Sequence, residues 1–193
     1  MTELEVVCAE LACGDDIRAE AAAVSLPEFG SAALAAVRKL LKAQNVDVRW
    51  WAVRALAGFE NVNETTPDLL AALEDESDEV RQAAALALSQ HSDPRALEQL
   101  VRALSDPDPL TARLVSNALV LLGTQATQVL LDVLKNGTRP ARLGAVRALA
   151  EIKDPRAIPG LMKALETDSA LMQYWAGLGL DKLGLGMLYL SPE

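Results

Sequence analysis

Apolar residues recur along this chain in a pattern that repeats about every thirty residues. The run Val-Arg-x-x-Ala-x-x-Ala-Leu occurs as Val48-Arg49 with Ala52, Ala55 and Leu56, and again as Val80-Arg81 with Ala84, Ala87 and Leu88. With the Arg as reference, the series is Ala19, Arg49, Arg81, Ala112, Arg142 and Gln173, at spacings of 30, 32, 31, 30 and 31 residues. Columns that were not used to set the reference test it. Seven residues after it stands Leu in all six units: Leu26, Leu56, Leu88, Leu119, Leu149 and Leu180. The residue before that Leu is always small: Ser25, Ala55, Ala87, Ala118, Ala148, Gly179. Twelve before the reference stand Val7, Val37, Leu69, Leu100, Leu130 and Leu161; eight before it stand Leu11, Leu41, Leu73, Leu104, Leu134 and Leu165. Self-similarity at such a period is the mark of a repeat architecture.

Each unit reads as two helices. The first carries apolar residues four apart, such as Leu100 and Leu104. The second opens at the column four before the reference: Asp15, Asn45, Ser77, Asp108, Thr138, Ser169. All six are good N-caps, because the side-chain oxygen accepts from a backbone N–H that the helix leaves unpaired. Asp93-Pro94 and Asp154-Pro155 mark first-helix starts, with Pro where its missing N–H costs nothing. Gly123 and Gly137 fall in predicted turns. Neither helix of a pair can bury its face alone, so neighbouring pairs must stack. The expected fold is all-α, a solenoid of six two-helix repeats in a single domain, 1–193. The repeats span approximately 2–29, 31–59, 66–91, 94–122, 125–152 and 156–183, followed by a capping tail, 184–193. In that tail Met187, Leu188 and Leu190 are expected to fold back over the last layer, with Gly184 and Gly186 as hinges. Docking on a second chain through the C-terminal end is the alternative to a monomer.

Two segments carry a resemblance. Asp154-Pro155-Arg156-Ala157-Ile158-Pro159-Gly160-Leu161 and Ser77-Asp78-Glu79-Val80-Arg81-Gln82-Ala83-Ala84 resemble the HEAT repeat. More narrowly, they are similar to the short HEAT-like repeats named from phycobilisome (PBS) lyases, and the resemblance covers essentially the whole chain. It implies a right-handed α-solenoid, an armadillo/HEAT-like superhelix, with first helices on the convex side and second helices on the concave side. Ala19, Ala112 and Gln173 depart from the Arg at the reference position, while Arg18 and Arg113 sit one residue off. The repeat is specific for fold and serves scaffolds, lyases and regulators alike.

At 100° per residue, the outward positions of a second helix are one, four, five and eight after the reference. The first of these reads Glu20, Trp50, Gln82, Arg113, Leu143, Tyr174, and the fifth reads Val24, Arg54, Leu86, Asn117, Arg147, Leu178. Trp, Tyr and Arg are the residues from which binding hot spots are built. Trp50, Arg54, Arg113, Arg147 and Tyr174 are therefore the candidate partner-binding residues of the concave face. Trp51 and Trp175 share a position that faces a neighbouring repeat and are expected to fill space there. Arg49, Arg81 and Arg142 are expected to satisfy neighbouring carboxylates or loop carbonyls.

The composition narrows the chemistry. The chain is 51% hydrophobic and only 4% aromatic, with Ala and Leu, the strongest helix formers, dominating. A net charge of −9 opposes general nucleic-acid binding, since phosphate backbones repel it. Cys8 and Cys13 with one His, His91, do not make a zinc set, and a His–Glu iron site is excluded for want of a second His. Ser and Cys lack a His base. No catalytic residue, metal site or cofactor is indicated. The start of the chain, with Glu3, Glu5 and Glu10, does not read as a secretory signal, no segment reads as a membrane span, and a cytoplasmic protein is expected. The leading reading is a non-catalytic scaffold that binds a protein or peptide on its concave surface, an acidic one being compatible with the arginines. The alternative is a bilin lyase subunit, or a chaperone of a chromophore protein, with Arg on propionates and aromatics on rings; a HEAT-like DNA glycosylase ranks third.

Overall fold

The computed structural model describes residues 1–167 and 169–185. Among them are twelve α-helices and no strand. They pair as α1 (Glu3–Leu11) with α2 (Asp16–Ser25), α3 (Gly30–Leu40) with α4 (Val46–Leu56), and α5 (Val62–Ala72) with α6 (Asp78–Leu88). The pairs continue as α7 (Leu97–Ala103) with α8 (Pro109–Leu121), α9 (Thr127–Asn136) with α10 (Arg139–Ile152), and α11 (Ile158–Leu165) with α12 (Ala170–Lys182). Short 3-10 turns lead into α3, α7, α9 and α11.

Every second helix starts where the sequence places its cap. Asp15, Ser77, Asp108, Thr138 and Ser169 each accept from the backbone N–H three residues on, and Asn45 accepts from that of Asp47. Each such cap stabilises its helix by roughly 1 kcal/mol. The cap fixes the rotation of the helix, and that rotation sends the Leu column inward. Leu26, Leu56, Leu88, Leu119, Leu149 and Leu180 are all at most 2% exposed, each worth about 1.5–3 kcal/mol in removal from water. The small column beside it allows close approach. At Gly179 of α12, an added Cβ would lie 2.9 Å from the Ala150 Cα of α10.

Contacts divide the chain into two compact units, Met1–Asp93 and the remainder from Pro94. In the first, α4 packs between α2 and α6; in the second, α10 packs between α8 and α12, with α9 against it. The third first-helix begins at Val62, ahead of the expected 66. Pro67 lies inside it rather than at its start, and the Thr65 and Thr66 hydroxyls both donate to the Val62 carbonyl. α12 ends on Gly184, whose φ of 82° is the left-handed conformation that lets the Leu185 N–H reach back to the Leu180 carbonyl at 2.9 Å. The expected covering residues Met187, Leu188 and Leu190, with the hinge Gly186, lie outside the described residues.

Candidate functional site

The five candidate residues fall on second helices and divide between the units. On α4, Trp50 and Arg54 stand one turn apart, and the Arg54 guanidinium lies 5.9 Å from the centre of the Trp50 ring. Trp51 meets Trp50 edge to face at 4.7 Å. Trp50 is half-buried and Arg54 exposed. A cleft of about 520 Å³ opens beside Trp50, lined by Ile17, Val46, Trp51 and the acids Asp16, Glu20, Asp47 and Glu79. Sequence reasoning had only Glu20 here. The other acids sit in the first turns of α2, α4 and α6, where carboxylates favour the positive end of the helix dipole. Three first-turn acids in successive repeats was the available signal.

In the second unit α8, α10 and α12 lie side by side and bring Arg113, Arg147 and the Tyr174-Trp175 pair together. The Arg147 guanidinium lies over Trp175, 5.2 Å from the ring centre, and Nη2 donates to Asn117 Oδ1 at 3.3 Å. Burial lowers the Arg147 pKa from its ordinary value, and the like charge of Arg113 lowers it further, against a weaker opposite pull from Glu151. Tyr174 is 61% exposed and touches Trp175 edge to face at 5.3 Å. Trp175 is half-buried on α12 and is the surface on which Arg147 of α10 rests. Sequence reasoning assigned it to packing alone.

The reference arginines divide in role. Arg49 is 7% exposed, donates Nε to Asp75 Oδ2 at 2.8 Å and Nη2 to Asp75 Oδ1 at 2.9 Å, and reaches the Ala43 and Gln44 carbonyls with Nη1. Burial alone would raise the Asp75 pKa; the Arg49 and Ser77 hydrogen bonds outweigh it and hold the carboxyl below its ordinary range. Arg81 donates to the Asp75 and Glu76 carbonyls. Gln173, in the same column, donates to the Thr167 carbonyl at 2.7 Å. Arg142 differs: its Nε is buried and has no hydrogen-bond partner among the described residues. A buried donor left unpaired costs about 1–3 kcal/mol.

His91 Nε2 lies 3.0 Å from the Ala57 carbonyl, which can only accept, so Nε2 carries the proton and His91 joins two repeats. Cys8 is half-buried, and burial raises its pKa; both cysteines are free. No His/Cys/Asp/Glu group suited to a metal occurs among the described residues, and none of their helices is long and apolar enough to cross a membrane.

Paired, capped helices with a Leu layer and a small-residue seam define a HEAT/armadillo α-solenoid. The HEAT-repeat profile matches residues 4–88, 66–144 and 127–186, and the chain belongs to the HEAT-repeat family. Its repeats are of the phycobilisome-lyase HEAT-like type. Over 132 residues it is 33% identical to the bilin biosynthesis protein RpcF of Synechococcus sp., a match covering 68% of this chain and 57% of that protein. Over 105 residues it is 35% identical to a phycobilisome maturation protein of Synechococcus elongatus, covering 54% and 51%. The chain thus matches little more than half the length of these relatives. Among solved structures, the fold is shared with the CpcE–CpcF complex of phycocyanin lyase from Nostoc sp., with a TM-score of 0.55, 24% identity and coverage of 95% and 78%. It is also shared with a designed armadillo repeat protein in complex with a (KR)4 peptide, with a TM-score of 0.56, 20% identity and coverage of 94% and 100%.

Proposed function

We propose that this chain acts in bilin attachment, as a HEAT-repeat subunit of lyase type that holds a linear tetrapyrrole. The observation that carries this reading is Arg147 seated over Trp175, with Arg113 alongside and Tyr174 exposed. A linear tetrapyrrole has propionate carboxylates and a chain of conjugated rings. A guanidinium fork matches a carboxylate in geometry and charge. Indole and phenol rings offer faces and edges for the pyrroles. Because Arg147 is already held by Trp175 and Asn117, little side-chain entropy is lost on binding. The names of the relatives favour a bilin over other planar carboxylates.

Incubation with phycocyanobilin followed by gel filtration tests this. The bilin's visible absorbance should travel with the protein, and the double variant R113A/R147A should bind at least tenfold more weakly with unchanged helicity. Absence of co-migration, or equal binding by the variant, would count against the reading.

A second reading rests on the Trp50 cleft. Ile17, 81% exposed, and Trp50 stand among four carboxylates, which favours docking of a cationic, apolar segment of a partner protein. A labelled Lys/Arg-containing peptide should bind with salt-dependent affinity, and W50A should weaken it. Binding insensitive to both salt and W50A would reject this site.

A further inference from the structure

Arg49 and Arg142 occupy the same position in α4 and α10, four residues after the N-caps Asn45 and Thr138. Arg49 meets carboxylates just before the next cap, Ser77: Asp75, two residues before it, takes two hydrogen bonds, and the exposed Glu76, one before it, takes a third at 3.2 Å. For Arg142 the residue in the place of Asp75, two before the cap Ser169, is Thr167, which has no charge to offer; Asp168, in the place of Glu76, lies outside the described residues. Its hydroxyl is already committed to the Ala164 carbonyl at 2.8 Å. Among the described residues, Arg142 also makes none of the hydrogen bonds to its own preceding loop that Arg49, Arg81 and Gln173 make to theirs. Its buried Nε has no hydrogen-bond partner among the described residues.

This arginine lines a cleft of about 460 Å³ formed by the C-terminal half of α9, by α11 and the residues after it, and by the start of α10. That volume lies in the range of small-molecule sites. Lys135 and Lys163 stand at the same cleft with Asp132 and Glu166, so among the described lining residues cations outnumber anions. Leu131, Leu134 and Pro159 supply apolar wall. Gly160 keeps the wall tight: a Cβ there would fall 2.5 Å from Leu131 Cδ2.

We propose that the Arg142 cleft is a carboxylate-binding subsite, in which an incoming carboxylate takes the position against Arg142 that Asp75 takes against Arg49. The ligand class is a carboxylate borne on an apolar body, either a free small molecule or the acidic side chain of a peptide. Lys135 and Lys163 add charge attraction at the mouth, and the leucines and Pro159 take the body. The site uses residues separate from Arg113, Arg147 and Trp175 and does not depend on the bilin reading.

The test is titration of the protein with 4-phenylbutyrate, with its amide 4-phenylbutyramide, and with a capped pentapeptide containing one glutamate. The readout is the Nε–H resonance of Arg142, assigned through R142Q. A saturable shift with the carboxylate or the peptide, and none with the amide, is expected; the tighter of the two names the source. The variant Thr167→Asp installs the carboxylate that Arg49 has. It should raise the melting temperature and weaken both carboxylate probes at least tenfold, while leaving phycocyanobilin retention unchanged. An Arg142 signal that responds equally to the amide, that is unmoved by every probe, or that titrates identically in Thr167→Asp overturns the proposal.

Discussion

Arg49 and Asp75 are joined by two hydrogen bonds, at 2.8 and 2.9 Å, that tie α4 to the loop ahead of α6. Both side chains are largely withdrawn from water, at 8% and 13% exposure. Removing one partner therefore leaves the other desolvated and unpaired. Arg49→Ala should cost about 2–4 kcal/mol in urea denaturation. Arg49→Lys keeps the charge and loses the fork, and should recover only part of that. A double-mutant cycle with Asp75→Asn should return a coupling above about 1 kcal/mol; additive effects would refute the pairing.

Asp154 sets an acid limit on stability. It is buried and accepts from the Arg156 side chain, from the Arg156 N–H at 2.9 Å and from the Thr127 hydroxyl at 2.7 Å; these hold its carboxyl well below the usual carboxylate range. Its folded pKa is lower than its unfolded value of about 3.9. The contribution is thus complete above that value and is lost as pH falls toward the folded one. The melting temperature should drop more steeply below about pH 4 in the native chain than in Asp154→Asn, which should be destabilised near pH 7 by roughly 1–3 kcal/mol. Parallel curves would exclude Asp154 as the titrating group.

Two glycines of α12 should respond oppositely to the same change. Nothing lies within 4 Å of a Cβ at Gly177, so Gly177→Ala should stabilise by about 0.5–1 kcal/mol through helix propensity alone. At Gly179 the added methyl would meet Ala150 Cα and Cβ and Leu161 Cδ1 at 2.9–3.0 Å, two of them atoms on or next to the backbone. Overpacking of about 1–3 kcal/mol then exceeds the propensity gain. Thermal denaturation of the two variants should move in opposite directions.

Lys153 ends α10 in the left-handed conformation, with φ 58° and ψ 35°. A side chain there costs on the order of 1 kcal/mol. Lys153→Gly should raise stability by up to about that amount, less the entropy that glycine adds to the unfolded chain. A lowered melting temperature would show that the Lys153 side chain has a stabilising contact that outweighs the strain.

What could be read from the residues follows from how local the information is. A cap needs only its own side chain and the N–H three residues on, so the starts of α2, α4, α6, α8, α10 and α12 were legible. The Leu column needs only the cap and the helical period. α5 was harder: the expected start at 66 falls inside the helix, which begins at Val62 and carries Pro67 within it. The site depends on pairs between repeats, which the columns do not supply. Nothing in the position of Trp175 indicated that Arg147, twenty-eight residues earlier, would lie on its face. The different environment of Arg142 became visible only once Asp75 was seen against Arg49 and Thr167 in the matching place.

The caps ahead of the second helices also decide which changes of length the chain tolerates. A residue gained before Ser77 or Asp108 lengthens a loop, and the helix still begins at the same oxygen with the same face inward. A residue gained after the cap turns every later side chain by 100° and drives its Leu out of the layer. The chain already shows the permitted kind. Arg81 follows Arg49 by 32 residues where Arg49 follows Ala19 by 30, and the difference falls between Leu56 and Leu69, where α5 takes it up as an early turn at Val62. Insertions and deletions in any descendant of this sequence should accumulate at those seams, and a graft or tag placed there should leave both neighbouring layers in register.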